Sequence, residues 1–438
     1  MRAPSSFLPV PAILAALLLA GCDVADSGGD AYVRVVNASM DYASVDLYLD
    51  DKLKIASTGY EAASSYLKVD SDSYDVEFRR SGASGALGSY NTDLGGDERL
   101  SWLVLGPSGD FQVIAIDENH DPADKDESLV RVVNAASDAG PVDVYLTDST
   151  TDLVDVSPTY SAVAIDTLAG EGLVKFESGT WRLRVTAAGS KTDVRLDRSD
   201  LALASKGVYT LVIAGTTGGV LTDAMLLKQD GDVTLLQTTQ ARVRAAIGLD
   251  GGTNASVSVD GTALVSAATI PVLGTYRVVD AGAAAVTLSV DGADVAVPAV
   301  TLTAGSDYTL VYTGTPAAVT QSLVIDVNRL PTSGTFKVRL INAMSALGEP
   351  ISMSVDFLPA ADSVALGSVA LSDEIDAVDN GRIDVTRVTT SSTLYTLTSL
   401  SLASQAVYTQ VMEYFIKSPK PINCMREPML DLQKRYII

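Results

Sequence analysis

The chain of 438 residues is 47% hydrophobic and only 19% charged, with 31 Lys and Arg against 54 Asp and Glu, a formal charge of −23. That length exceeds one ordinary core and suits several modules, and the hydrophobic content excludes a disordered chain. So acidic a surface repels nucleic acid and anionic headgroups, so nucleic-acid binding is disfavoured, while the wealth of Ala, Val, Thr, Ser and Gly suits β-rich modules.

Residues 1–21 read as a lipoprotein signal peptide. Arg2 supplies the positive end, and Val10 to Ala20 is an apolar run of roughly 11 residues, too short to span a bilayer as a helix. The run closes in Leu19-Ala20-Gly21-Cys22, small residues followed by the Cys that would carry the lipid, palmitate included. Cys22 then becomes the first residue of the mature protein and its membrane anchor. Residues 22–30 are polar and form a flexible tether. The expected location is the cell envelope, on its periplasmic or cell-surface face. Cleavage removes Arg2 and no acid, leaving 30 basic against 54 acidic residues, a charge of −24. The only other cysteine is Cys424, so a lipidated Cys22 leaves no intrachain disulfide and each module stands on packing.

Residues 31–117 form the first expected module. Val33-Arg34-Val35-Val36-Asn37-Ala38-Ser39 reads as a strand and its exit turn, and Val45 to Leu49 as the next strand. Asp50-Asp51 is a turn signal, Tyr74 to Arg79 alternates with Tyr74, Val76 and Phe78 on one face, and Leu100 to Leu105 reads as a buried strand. No amphipathic helix period occurs. Short strands with turns every 8 to 12 residues predict an all-β chain of tandem immunoglobulin-like antiparallel β-sandwich modules.

Residues 118–128 are an acidic linker. Residues 129–236 repeat the order of the first module, opening with Val130-Arg131-Val132-Val133-Asn134-Ala135-Ala136-Ser137. Residues 241–328 are a degenerate third module, opening on Ala241-Arg242-Val243-Arg244. Residues 334–409 are a fourth, opening on Phe336-Lys337-Val338-Arg339-Leu340-Ile341-Asn342 and carrying Ser352 to Leu358 as an alternating strand. With Arg34, Arg131, Arg242 and Lys337 as leading residues the separations are 97, 111 and 95, a regularity that argues duplicated domains. Residues 410–438 break the pattern and carry five basic against three acidic residues. They read either as a specialised extension or as a frameshifted end that leaves the fourth module without its last strands, and the second reading is favoured.

The strand-and-turn string of Val33 to Ser39, the Val45-Asp46-Leu47-Tyr48-Leu49 run and the later Tyr-centred strands resemble a domain-of-unknown-function family numbered 4397. That family typically opens on Arg-Val-Val-His-Ala-Ser-Pro-Asp, and here Asn37 and Asn134 stand in the His place while Asp41 and Asp138 keep the acidic one. The resemblance is clear in the first two modules and weak in the others. It implies extracytoplasmic β-sandwiches on secreted or lipid-anchored proteins, and it transfers no functional residue.

The shared turn makes Asn37, Ser39, Asn134 and Ser137, with Asn342, the candidate residues for a common site, against the plainer role of closing a strand by bonding their own backbone. Asp46 and Asp143 are expected to face solvent or bond a neighbouring turn, with Arg34 and Arg131 pairing to them across strands. In the linker, Asp117, Asn119 and Asp121 copy the first ligand positions of a calcium loop, but Pro122 replaces the needed Gly and Ser128 the final Glu. That leaves a loose Ca²⁺ clip against a solvated linker. His120 is the only histidine, and no nucleophile elbow, zinc helix or phosphate loop occurs. No other cofactor is expected. The sequence therefore predicts a non-catalytic, lipid-anchored envelope protein acting as a structural spacer or adhesion and surface-presentation rod. The alternative is an extracytoplasmic binder of glycan or peptide, and a hydrolase is the distant third. Trp102 and Trp181 lie in apolar strands and read as core, which favours the spacer.

Overall fold

The structure, a computed structural model, describes residues 29–170 and 172–412. The leader, Cys22 and the segment after Met412 lie outside the described residues. Apart from two 3₁₀ turns, the described elements are all strands, and among these residues no helix is long and apolar enough to cross a membrane.

The first module contains β1 (Asp30–Asn37), β2 (Ser44–Leu49), β3 (Lys52–Gly59), β4 (Ala62–Ala63), β5 (Leu67–Asp70), β6 (Ser73–Arg80), β7 (Ala86–Asp93), β8 (Arg99–Leu105) and β9 (Gln112–Asp117). They make two sheets. One runs β3-β2-β6-β7; in the other β1 lies between β8, which leads to β9, and the short strands β4 and β5. Alternate side chains of both sheets meet in one core, with Val33, Val35, Trp102 and Val104 against Val45, Leu47, Val76 and Phe78. Trp102 is fully buried there, edge-on to Phe78 at 6.3 Å.

The sandwich is not wholly antiparallel. β1 pairs parallel with β8, Arg34 beside Ser101. The pairing recurs in every module, Arg131 beside Thr210, Arg244 beside Thr309 and Arg339 beside Thr409. This register corrects the sequence alignment of the later copies. The residues that match Arg34 are Arg244 and Arg339, not Arg242 and Lys337, and the separations become 97, 113 and 95. Module one then lies 210 residues before module three and module two 208 before module four, as expected if a two-module unit had been duplicated.

A second repeated device shapes the other sheet. A residue with left-handed φ bulges the strand after the β2 hairpin: Ser57 (55°), Ala162 (48°), Ala267 (42°) and Ser363 (49°). Its amide N–H donates to the strand opposite, to Asp46 Oδ1 at 2.7 Å, Asp143 Oδ1 at 2.7 Å, Ser256 Oγ at 2.9 Å and Ser352 Oγ at 3.0 Å. Asp46 and Asp143 are thus buried and bonded to a neighbouring bulge, and neither partners Arg34 or Arg131, which belong to the other sheet. Trp181 departs from expectation too. It lies half-buried, edge-on to Phe176 at 5.2 Å, with its indole N–H donating to the Glu177 carbonyl at 2.9 Å.

In module four the alternating run is interrupted: Asp356 (45°) and Phe357 (69°) turn the chain between strands Ile351–Val355 and Leu358–Val364. Gln410 occupies the position held by Trp102, Leu211 and Leu310 in the other modules. Its strand, Ala406–Met412, has no antiparallel neighbour among the described residues, whereas modules one to three each add one there.

Modules pack in pairs through their β1 sheets. Because the outer face of β1 is covered by the next module, Val33 to Asn37 is buried on both faces, which is why it reads as a run and not as an alternation. Between modules one and two, Val36, Leu103 and Ile116 pack on Val133, Val212 and Met225. Between three and four the shared cluster is smaller, Ala246 and Val311 against Ile341 and Ala343. There a Cβ on Gly248 would lie 2.0 Å from the Ala343 carbonyl oxygen, so the approach of the two backbones requires glycine.

Candidate functional site

The repeated Asn closes its own module. Asn37 Nδ2 donates to the carbonyls of Tyr42 (2.7 Å) and Thr58 (3.3 Å), and its Oδ1 accepts the Ser39 amide at 3.1 Å. Asn134 does the same with Gly140, Val163 and Ala136, and Asn342 with Glu349, Val364 and Met344. All three are fully buried. Ser39 Oγ donates to the Gly106 carbonyl at 2.6 Å, and Ser137 lies half-buried at the start of a 3₁₀ turn.

What the turns present outward is an acid. Asp41 and Asp138 stand four residues after their Asn in modules one and two, and the structure brings them together on Arg329, between modules three and four. Arg329 Nη1 donates to Asp41 Oδ1 at 2.7 Å and Nε to Asp138 Oδ2 at 2.8 Å, while the Leu330 amide donates to Asp138 Oδ1 at 2.8 Å. Burial works against the guanidinium's charge, and the two carboxylates outweigh it, raising its pKa. At Asp41 burial likewise pushes the pKa up, but Arg329 and the Ser108 amide outweigh it and hold the carboxyl below its usual range. Beside this clamp, Tyr60 of module one donates its hydroxyl to the Gly215 carbonyl of module two at 2.7 Å, and the Gly218 amide of module two donates to Gly305 of module three at 2.8 Å. The pair of turns is a guanidinium receptor that fastens the second half of the chain to the first. Arg329→Ala is expected to weaken that attachment by about 2 kcal/mol, the scale of hydrogen bonds to a charged partner. Limited proteolysis between residues 327 and 334 reads it, and unchanged cleavage rates would refute it.

Each pair seam also contains a buried ionic belt. Arg34, 2% exposed, donates to Ser101 Oγ (2.6 Å), Glu118 Oε1 (2.7 Å) and, across the seam, the Gly231 carbonyl (2.8 Å), with its plane over Tyr66 at 4.6 Å. Arg131 bonds Thr210 Oγ1 (2.9 Å) and meets His120 Nε2 at 3.1 Å. In the second pair Asp326 takes the place of Glu118. Arg339 Nε lies 3.1 Å from Asp326 Oδ1, and Tyr276, over which Arg244 sits at 4.5 Å, donates to Asp326 Oδ2 at 2.6 Å. Asn328, accepting from Arg339 at 2.9 Å, matches His120. Burial pushes the Glu118 pKa up against the pull of Arg34, and burial lowers that of Arg131.

Asp117 Oδ1 accepts the Asn119 amide at 2.9 Å, and among the described residues no three His, Cys, Asp or Glu side chains converge to hold a metal. His120 is pinned in the first seam, its carbonyl accepting from Gln229 at 2.8 Å. A shallow depression of about 530 Å³ is lined by Ser161 to Ala164 and Thr167 to Gly170, with no acid or histidine among them. Sequence reasoning missed Glu118, Asp326 and Arg329, single charged residues at module ends. The recurrence of Glu118-x-His120 as Asp326-x-Asn328 at matching places was the available signal.

No curated protein matches the chain. Among solved structures it is similar to a candidate cell adhesion protein from Bacteroides uniformis, at 14% identity over 46% of this chain and 98% of that one, with a TM-score of 0.21. It is also similar to a family-26 carbohydrate-binding module of Amy13K from Eubacterium rectale, solved with maltoheptaose, at 11% identity over 45% and 96% and a TM-score of 0.16. A third is an α-glucan-binding streptococcal virulence factor, at 10% identity over 41% and 92% and a TM-score of 0.15. Residues 31–145 and 248–349, each running from one module into the next, match the domain of unknown function DUF4397, so the chain carries two tandem copies of that domain.

Proposed function

We propose that the chain is a non-catalytic envelope protein, lipid-anchored through Cys22 on the periplasmic or cell-surface face, that serves as a spacer or adhesion module. The observation that carries this reading is the coupling of the modules. Desolvated seams, buried arginine belts and the Arg329 clamp join all four, where freely jointed beads would transmit neither reach nor load. Within each pair the modules pack side by side through their β1 sheets. A second reading, binding of a glycan or peptide, has one observation in its favour. Phe357 is 74% exposed at a hairpin tip, beside Leu358 at 66%, with Arg382 over its ring at 5.0 Å. An aromatic held in the left-handed region where module three has Gly261 is the kind of backbone strain that clusters at binding sites.

The test is made in the native host. Palmitate labelling, whole-cell proteolysis and adherence are compared between wild type and Cys22→Ala. Loss of label and of adherence in the variant is the expected result. Adherence that persists after deletion of the whole gene, or turnover of a glycan or peptide on an array, overturns the reading.

A further inference from the structure

In the second sheet of module two an arginine is buried without a counter-ion. Arg184 lies on the strand Gly179–Ala187, on the face opposite the core residues Leu183 and Val185, with Tyr145 across from it on one side and Asp197 on the other. It is 4% exposed. Its Nη2 donates to Thr147 Oγ1 at 2.7 Å, its Nε is buried with no hydrogen-bond partner, and no carboxylate among the described residues pairs with it. Asp197 accepts instead from Arg182, from Nε at 2.7 Å and from Nη2 at 2.6 Å. Every other arginine no more than 4% exposed has its acid: a carboxylate oxygen lies 2.7 Å from Arg34, 3.1 Å from Arg195 and Arg339, and 3.6 Å from Arg244.

The other modules fill this place differently. The counterparts of Arg184 are Glu77, Thr287 and Asp384. Glu77 pairs with Arg79, Thr287 shares a hydrogen bond with Ser258 at 2.7 Å, and Asp384 accepts from Arg382 at 2.6 and 2.7 Å. Module two also differs in what lies over the place. Elsewhere the first hairpin of this sheet closes in a tight turn, whereas here residues 148–159 run between the strands Val142–Thr147 and Tyr160–Val163. This strap is tied down on both sides of Arg184 along its strand. Arg182 Nη1 donates to the Ser149 carbonyl at 3.0 Å, and Lys191 Nζ to the Val154 carbonyl at 2.9 Å. Leu153 of the strap is buried, as are Tyr145 and Thr186 beside Arg184 on the sheet.

A guanidinium stays ionised at any ordinary pH, so it cannot escape burial by losing its proton. Burial, and then the like charge of Arg182, lower its pKa, both acting against the cation. A buried charge left without a partner is strongly unfavourable. We propose that Arg184 forms the base of an oxyanion site between the strap and the sheet, where a carboxylate or sulfate group supplies the missing counter-charge. The planar fork suits such a group, because two N–H donors can meet two oxygens at once, and the Nε donor is unused. A free inorganic anion and an acidic sugar offer the same chemistry.

Calorimetric titration of the full chain with sodium sulfate and with sodium galacturonate, each against sodium chloride at equal ionic strength, tests the site and separates the two sources. Saturable binding is the expected result, weakened about tenfold or more in Arg184→Gln. Binding of sulfate alone assigns the site to a free inorganic anion, and binding of galacturonate assigns it to an acidic sugar. Hydrogen–deuterium exchange of residues 148–159 is expected to slow about threefold with the anion bound. In chloride, Arg184→Gln is expected to melt no lower than wild type, since it removes a charge that has no counter-ion, and to lose the rise in melting temperature that the anion gives. If that variant fails to fold, Arg184→Lys, which keeps the charge without the fork, is expected to weaken binding in the same direction. No binding of either anion beyond chloride, or a folded variant that binds as wild type does, overturns the proposal. If neither variant folds, wild-type exchange decides: an anion that leaves residues 148–159 unprotected overturns it.

Discussion

Replacing Arg34 by Ala is expected to cost the first module pair about 3–5 kcal/mol, the scale for breaking a buried ion pair by removing one partner. Arg34 and Glu118 are both 2% exposed and 2.7 Å apart, so the deletion strands a carboxylate away from water and any other cation in direct contact. Ser101, which donates to the same oxygen at 2.7 Å, cannot neutralise it. The bond to the Gly231 carbonyl of module two goes as well, so the loss falls on the seam and not only on module one. Burial already pushes the Glu118 pKa up, and without Arg34 it rises further. The deficit is therefore largest at alkaline pH and shrinks as pH falls and Glu118 takes up a proton. Arg34→Met combined with Glu118→Leu is expected to recover most of the loss, because an apolar pair of similar volume carries no desolvation cost. Urea denaturation of the three proteins at two pH values checks it; a single-variant loss below about 1 kcal/mol, the range of an exposed pair, would show that water reaches the site.

The burial of that arginine was not legible in the sequence. In Val33-Arg34-Val35-Val36 the charge sits on the face opposite the core residues Val33 and Val35, where alternation alone predicts solvent. What covers it comes from residues 118 and 231, contacts that no local pattern carries. The same periodicity explains the misaligned later copies. Arg242 and Arg244 are two residues apart and lie on one face of the strand, so pattern matching cannot choose between them; register with Thr309 does. By contrast the strands, the hairpin turns and the modular repeat were readable, because each rests on contacts within a few residues or on the chain repeating itself. The parallel partner of β1 was not, since β8 follows it 67 positions later with no signal of direction. Arg329 was invisible for a further reason. Its value lies in the convergence of Asp41 and Asp138, 288 and 191 residues away.

Asn37→Ala separates the two readings of the repeated turn, and a loss of about 3 kcal/mol in the stability of module one is expected. The side chain makes three bonds in a fully buried place, and its removal leaves the Tyr42 and Thr58 carbonyls and the Ser39 amide without those partners. Each buried group left unsatisfied costs about 1–3 kcal/mol, partly overlapping when one relaxation relieves several. Ala also opens a small hole between the exit turn and the β3 bulge strand. Asn37→Asp is expected to do no better. A carboxylate keeps the acceptor for Ser39 but sets charge against two carbonyl oxygens, and burial without a cation is costly. Module three shows what replaces the device. Ile247 stands in the Asn place, and Pro271 stands where Glu61 of module one donates its amide to the Asn37 carbonyl at 2.8 Å, so module three has no amide to offer there. A module that dispenses with the Asn thus also dispenses with one of the bonds around it, as a structural lock would and a conserved ligand contact need not. If Asn37→Ala left the melting of module one unchanged while altering adherence or ligand capture, the turn would be a recognition site. If stability falls with no change in either beyond that expected from unfolding, its outward chemistry is confined to Asp41 and Asp138, the two acids that hold Arg329.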